Sequence, residues 1–257
     1  SASATSQAGL SGPRGMVYDS ATKRLFVAGA GNNRVTVYDV ATITNGENAI
    51  NVLGQSSFIA NVAATTQAGM SGPRGLAYDA GRQRLFVAGA GNNRVTVYDV
   101  ATITNGENAI NVLGQSSFTA STAATTQAGM SAPAALGYDA MKNLLFVTGT
   151  GNNRVTVYDV AIITNGENAV NVLGQTSFTS GTAATTAAGL SAPRGMVYER
   201  NTRTTRFSYY KNGVLETMTD AKGVATHWSI DAASRITGKV YAYGLAGSEK
   251  IELYSYD

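Results

Sequence analysis

Cysteine is absent from the 257 residues, and histidine occurs once, at His227. Without thiols there are no disulfides, thiolate metal sites or cysteine nucleophiles, and a single imidazole cannot assemble a multi-histidine metal site. Ser/His/Asp chemistry centred in the first two hundred residues would lack its base. Charge is sparse: Asp, Glu, Lys and Arg make up 14% of the chain, against about 25% in an average soluble domain. Net charge is only +3, with 11 basic and 9 acidic residues up to Tyr198 and 8 and 7 beyond it. Neither part forms the basic field that nucleic-acid binding requires, so no nucleic-acid partner is expected. No apolar run approaches the roughly 18 residues that span a bilayer, so no membrane insertion is expected. The first residue is Ser1 rather than Met, and no basic and apolar signal-peptide regions follow it. A processed chain or a piece of a longer protein is therefore expected.

What the chain does have is repetition. Arg24 to Phe58 recurs at Arg84 to Phe118 without a substitution in 35 residues, and a third copy, Leu144 to Phe178, carries six changes. The period is 60 residues, in phase with Gly31-Asn32-Asn33-Arg34, Gly91-Asn92-Asn93-Arg94 and Gly151-Asn152-Asn153-Arg154. A fourth copy begins at Ala188 and stops at Tyr198. A period of this length marks stacked supersecondary units.

Within one period, Gly15 to Asp19, Leu25 to Ala28, Arg34 to Val40 and Ala49 to Leu53 are short and rich in β-branched or aromatic residues, and Gly, Asn, Asp and Ser separate them. These are strand and turn signals, four strands to a repeat. The run Arg34-Val35-Thr36-Val37-Tyr38 alternates with period two, as in a half-buried strand. Leu25 to Ala28 is continuously apolar and fits a strand buried on both faces. Gly29 to Asn33 carries residues that tolerate positive φ, which predicts a hairpin between those two strands. A four-stranded antiparallel sheet cannot bury both its faces alone, so radial stacking as propeller blades is expected, with Ile59 to Ala68 as an inter-blade connection. A parallel β-helix is the alternative architecture, although its coils are usually shorter.

Four linked segments carry a family resemblance: Ser11-Gly12-Pro13-Arg14-Gly15-Met16-Val17-Tyr18-Asp19, Arg24-Leu25-Phe26-Val27-Ala28, Gly31-Asn32-Asn33-Arg34-Val35 and Val52-Leu53-Gly54-Gln55-Ser56-Ser57-Phe58. In this order they resemble the bacterial NHL repeat over about residues 7–198. The resemblance implies a β-propeller; the pattern departs from it at Gly29, Gly89 and Gly149, where members commonly carry Asp. Three blades do not close a ring, since small propellers run from about 4 to 8. Either further blades lie outside this segment, or two chains pair their half-rings, or an open arc leaves unpaired blade faces through which self-association is expected.

Beyond Tyr198 the composition shifts. Arg200, Arg203 and Arg206 enter, followed by Phe207, Tyr209, Tyr210, Trp228, Tyr241, Tyr243, Tyr254 and Tyr256. Residues 209–231 alternate apolar and polar side chains, with Lys211-Asn212-Gly213 and Ala221-Lys222-Gly223 as turns, and predict consecutive hairpin strands. Tyr210-Lys211, Ile230-Asp231 and Tyr256-Asp257, with Thr219-Asp220, Gly223 and Thr226 between them, are similar to the YD repeat of bacterial Rhs proteins. The expected fold is therefore all-β: three four-stranded blades plus a partial fourth over residues 1–198, then a YD-repeat-like antiparallel segment over 199–257.

Arg34, Arg94 and Arg154, with Asn33, Asn93 and Asn153, are the candidate binding ring, one set per blade, because guanidinium forks match carboxylates and phosphates. The competing reading is structural: each arginine braces its own turn or pairs with Asp39, Asp99 or Asp159. Arg14, Arg74 and Arg194 form a second set, but Ala134 breaks it, and a strictly required ligand ring would not tolerate the gap. Asn32, Asn33, Asp39 and Glu47 offer oxygens of the kind Ca²⁺ accepts, without the alternation of acids of a calcium loop. The glycines around Ala30 lack the Lys-Ser/Thr and the helix of a phosphate cradle. His227 reads as a packed strand residue, with no positioned nucleophile to serve.

No catalytic residue, metal or cofactor is expected. The expected role is that of a non-catalytic binding or scaffold segment of a large bacterial protein, with protein or carbohydrate as partner. Secretion or a cell-surface location is what the family resemblances imply. Two alternatives stand beside it: a lyase or hydrolase working in a propeller channel, and a structural spacer of a toxin-encapsulating shell.

Overall fold

The computed structural model describes residues 5–198, 206–219, 224–243 and 250–255. Arg200, Arg203, Asp220, the Ala221-Lys222-Gly223 turn, Tyr256 and Asp257, which entered the reading of the tail, lie outside them. The chain divides into two compact units, Ser1–Tyr198 and Glu199–Asp257.

The first unit holds three antiparallel meanders of four strands each. The first comprises β1 (Pro13–Asp19), β2 (Arg24–Gly29), β3 (Arg34–Asp39) and β4 (Asn51–Leu53). The second comprises β5 (Pro73–Asp79), β6 (Arg84–Gly89), β7 (Arg94–Asp99) and β8 (Asn111–Leu113). The third comprises β9 (Pro133–Asp139), β10 (Leu144–Gly149), β11 (Arg154–Asp159) and β12 (Asn171–Leu173). The sheets come closest at their first strands and splay toward their fourth. They are three blades of a partial β-propeller.

Between the second and third strands a single 3-10 turn, Ala30–Asn32 in the first blade, ends on Asn33 in the left-handed region at φ 51°. Asparagine tolerates that conformation better than other non-glycine residues. The alternating run Arg34 to Tyr38 is buried on both faces rather than half-buried. In the first blade Tyr38 is covered within its own repeat by Val27, Ala49 and Phe58; in the second, stacking is the reason, since Val95 and Val97 enter the core shared with the third blade while Tyr98 enters the core shared with the first. The alternation therefore divides side chains between two neighbours instead of between core and solvent.

Three further contacts lock each blade to the next. Asn105 Oδ1 accepts the Val52 N–H at 3.0 Å while the Gly106 N–H reaches the Val52 carbonyl at 3.0 Å, so a loop of the second blade satisfies the outer edge of the first. Asn165 and Gly166 repeat this on Val112. Tyr78 stacks on Phe26 at 6.0 Å between centroids, and its hydroxyl donates to Asp19 Oδ2 at 3.0 Å. Phe86 with Tyr138 and Phe146 with Tyr198 repeat the ring pair. At the inner wall the approach is backbone on backbone: a Cβ on Gly75 would meet the Ala134 carbonyl oxygen and Ala135 Cα at 2.7 Å each.

The fourth repeat forms no strand over residues 193–198, which corrects the expected partial fourth blade. Its opening follows the course of the others, since Asn153 Oδ1 accepts the Ala192 N–H at 2.8 Å as Asn33 Oδ1 accepts that of Gly72 at 2.9 Å. Among the described residues no second strand of its own repeat lies beside it to supply a ladder. At the other end of the arc the front face of the first blade is uncovered: Ile43 is 73% exposed, whereas its counterpart Ile103 packs into the core between the first two blades.

The second unit is one five-stranded antiparallel meander, β13 (Arg206–Tyr209), β14 (Leu215–Thr219), β15 (Ala225–Ile230), β16 (Ile236–Tyr243) and β17 (Lys250–Leu253). The predicted Lys211-Asn212-Gly213 turn joins β13 to β14, with Gly213 at φ +81°. A second turn is organised by Asp231, whose Oδ1 accepts the N–H groups of Ala233 and Arg235.

Two predictions follow from the blade contacts. Gly75→Ala is expected to destabilise the chain by about 1–3 kcal/mol through overpacking against backbone that cannot yield, and Gly195→Ala, which meets nothing within 4 Å, is expected to be near neutral; urea unfolding of both checks this. The second concerns pH. Burial raises the Asp19 carboxyl, but hydrogen bonds from Thr22, Ala21 and Tyr78 together bring it below its ordinary value. Burial first, and then the bond to Asp19, push the Tyr78 phenol up to about 12; burial above all, with a smaller push from Glu107 or Glu167, raises Tyr98 and Tyr158 to about 12 against the opposition of Thr96 with Arg94 and of Thr156 with Arg154. The depressed carboxyl contributes stability that is present above the ordinary carboxylate range and lost as pH falls through it. The raised phenols contribute stability that is full below their ordinary value of about 10 and lost as pH climbs from there. Urea midpoints are therefore expected to fall between pH 10 and 12, and Tyr78→Phe to remove part of that decline.

Candidate functional site

The six residues of the candidate ring lie where connectors enter and leave each blade. Arg34, Arg94 and Arg154 open the third strands and are each 1% exposed. Arg94 Nη2 donates to the carbonyls of Thr66 at 2.7 Å and Gly69 at 3.0 Å, on the incoming connector, and Nη1 donates to the Phe118 carbonyl on the outgoing one. Arg154 repeats the pattern on Thr126, Gly129 and Phe178, and Arg34 on Ser6, Gly9 and Phe58. Burial lowers the pKa of each guanidinium, with the nearby Tyr38, Tyr98 or Tyr158 opposing it. Asn33, Asn93 and Asn153 donate to the carbonyls of Asn61, Ser121 and Gly181 at 2.8–2.9 Å. Gln55 joins them, reaching the carbonyls of Asn33 at 2.9 Å and Val62 at 2.8 Å. The arrangement is a brace, and it holds connectors rather than the arginine's own turn or Asp39. That aspartate instead accepts the Ala41 N–H at 2.9 Å.

The oxygens considered for calcium are not brought together. Asn33 and Asp39 lie at opposite ends of β3, and Glu47 Oε2 accepts the backbone N–H and hydroxyl of Thr44 within a solvated turn. Among the described residues no group of three or more His, Cys, Asp or Glu could hold a metal ion. In the second unit His227 sits mid-strand, opposite Thr217 and Val240, and the Tyr210 hydroxyl donates to the Trp228 carbonyl at 2.8 Å.

The set that sequence reasoning put aside is the one left open. Arg14, Arg74 and Arg194 line a hollow of about 270 Å³ on the inner wall of the arc, together with Gly15, Gly75, Ala134 and Ala135. For Arg14 and Arg74 a bulge explains the direction: the ladder passes from Pro13↔Gly29 to Met16↔Val27, leaving an extra residue on β1, and β5 repeats it between Pro73 and Leu76; Arg194 lies in the segment that forms no strand. Such bulges re-aim side chains out of the regular alternation. In the third blade Ala134 and Ala135 stand at the bulge, and the Thr148 hydroxyl, absent from Ala28 and Ala88, accepts the Ala135 N–H at 2.7 Å. Farther along the same wall Val17, Tyr18, Tyr78, Tyr138 and Tyr198 border a second hollow. The three prolyl-arginine pairs were visible in the sequence; that they border one hollow together with Ala134 was not.

No family model and no curated protein matches the sequence. Among solved structures, the chain is similar to a candidate 6-phosphogluconolactonase from Bacteroides uniformis, at 11% identity over 87% of this chain and 52% of that one, with TM-score 0.44. It is also similar to a nidogen/laminin complex, at 16% identity over 90% and 64%, with TM-score 0.44. A third is hydrazine synthase from Kuenenia stuttgartiensis, at 14% identity over 95% and 50%, with TM-score 0.43. This chain thus spans only half to two thirds of the length of those chains, and no residue role is carried across from them.

Arg94→Ala is expected to cost about 2–4 kcal/mol, because it leaves three connector carbonyls without their charge-assisted donor. Arg94→Lys is expected to recover little of this, since an ammonium cannot fork between two connectors. Denaturant titration of both variants checks the pair.

Proposed function

We propose that the chain is a non-catalytic binding and scaffold segment, in which NHL-like blades and a YD-like sheet belong to a large bacterial secreted or cell-surface repeat protein. One observation carries this reading: the recurrent polar side chains of the blades, the Arg-Asn-Gln sets, are engaged in holding connectors, which suits a rigid platform that presents its inner wall and loops. Binding would then rest on shape and edge complementarity, with protein or carbohydrate as partner. The uncovered front face of the first blade, with Leu10, Leu25, Val27, Tyr38, Val40 and Ile43 around one apolar hollow, supports self-association, since its counterpart in the second blade is covered by a neighbour.

Peptide and glycan arrays probed with the full chain are expected to return a specific ligand, with no turnover on ester and sugar panels and no stoichiometric metal. Turnover would overturn the reading in favour of a lyase or hydrolase; silent arrays would overturn it in favour of a spacer. Light scattering is expected to report assemblies larger than the 26.6 kDa monomer, and Ile43→Glu to reduce them.

A further inference from the structure

We propose that the hollow between Arg14, Arg74 and Arg194 is an oxyanion-binding site for a ligand bearing carboxylate or phosphate groups. This deepens the binding reading of the platform and rests on it.

The first ground is a contrast among the nine arginines of the first unit. Six are engaged: Arg34, Arg94 and Arg154 by connector carbonyls, Arg24 and Arg84 by Asp19 and Asp79, and Arg82 by Asp79 and Asn143. The remaining three have no hydrogen bond, ion pair or ring contact among the described residues, and they are the three that line one hollow. A guanidinium presents five donors in a planar fork suited to two-point contact with an oxyanion. Three arginines lining one hollow, with no acceptor among the described residues, form a donor set whose complement is missing.

The second ground is electrostatic. Among the described residues no carboxylate lines the hollow. The acids nearest in the same strands, Asp19 and Asp79, lie five residues farther on, about 16 Å along an extended strand, and are engaged with their own arginines. Beyond a Debye length of about 8 Å at physiological salt they do little to neutralise the field. The third ground is steric. Gly15 and Gly75 let the inner strands touch, which gathers arginines from successive blades around one space, and Ala134 supplies a small residue where a fourth arginine would fill it. The volume fits a small multivalent anion or the acidic group of a larger ligand.

The test is calorimetric titration of the full chain at low ionic strength with pyrophosphate in one arm and citrate in the other. Saturable one-to-one binding is expected, weakening as salt rises. Arg74→Ala and Arg14→Glu are expected each to weaken it at least tenfold, Arg74→Lys to weaken it less, and Arg82→Ala, outside the hollow, to leave it unchanged. Near-UV circular dichroism establishes that the variants fold, and Arg194→Glu provides the same test if Arg74→Ala does not. Binding of pyrophosphate alone assigns a phosphoryl ligand, citrate alone a carboxylate, and both a general oxyanion site. No binding of either at millimolar concentration overturns the proposal, as does binding that is insensitive to the hollow variants or equally sensitive to Arg82→Ala. Those failures leave the scaffold reading standing, whereas turnover on the ester and sugar panels would remove that reading without touching the anion titration.

Discussion

A buried guanidinium at the head of each third strand is the constraint on which the blades depend. It has no carboxylate partner, so the cost of removing it from water is offset by backbone carbonyls alone, through charge-assisted bonds. Those carbonyls belong to two connectors, one arriving and one leaving. Removing the cation would leave the carbonyls unpaired inside the protein, and moving a connector would leave the cation unpaired. Each blade's entry and exit are thereby tied to one point, and the stacking of the next sheet follows from where its connector is released. The asparagine at the preceding left-handed position extends the same hold, since Asn33 Oδ1 takes the Gly72 N–H at the threshold of the second blade.

Stacking decides the character of the inner wall. Sheets that splay outward must converge at their first strands, and there only glycine or alanine fits between backbones. A bulge at that point frees one residue from the ladder and turns it toward the axis. The wall therefore carries arginine at one end and tyrosine at the other, while Arg34, Arg94 and Arg154 at the head of the third strands are enclosed. The proposed binding role and the proposed anion site both draw on this separation between enclosed, engaged polar groups and open, unengaged ones.

The pattern of variation between repeats agrees with it. Arg24 to Phe58 and Arg84 to Phe118 are identical, although the front face of the first blade lacks the neighbour that covers the second. The first strands differ: Met16-Val17 becomes Leu76-Ala77 and then Leu136-Gly137. Each first strand meets a different companion, and Gly137 lies where a Cβ would stand 2.8 Å from the Met196 sulfur. The third blade, whose companion forms no strand, is the one that exchanges Arg-Gly for Ala134-Ala135 and braces its bulge with Thr148.

The amino-acid sequence by itself determined the period, the four strands of each repeat, the turn at Asn33 and the polar connectors, because these follow from local spacing of apolar residues and from backbone preferences of single residues. It also located an arginine at an equivalent place in every blade. Whether that arginine faced a ligand or a carbonyl depended on burial, which no local pattern contains, and the structure enclosed Arg34, Arg94 and Arg154 while leaving Arg14, Arg74 and Arg194 open. The alternation of Arg34 to Tyr38, repeated at Arg94 to Tyr98, specified two faces but not what covers them, and in the second blade only stacking made both interior. The fourth repeat was equally legible as sequence, yet a strand exists only beside a partner with which to exchange hydrogen bonds, and that pairing is a property of the assembled sheets.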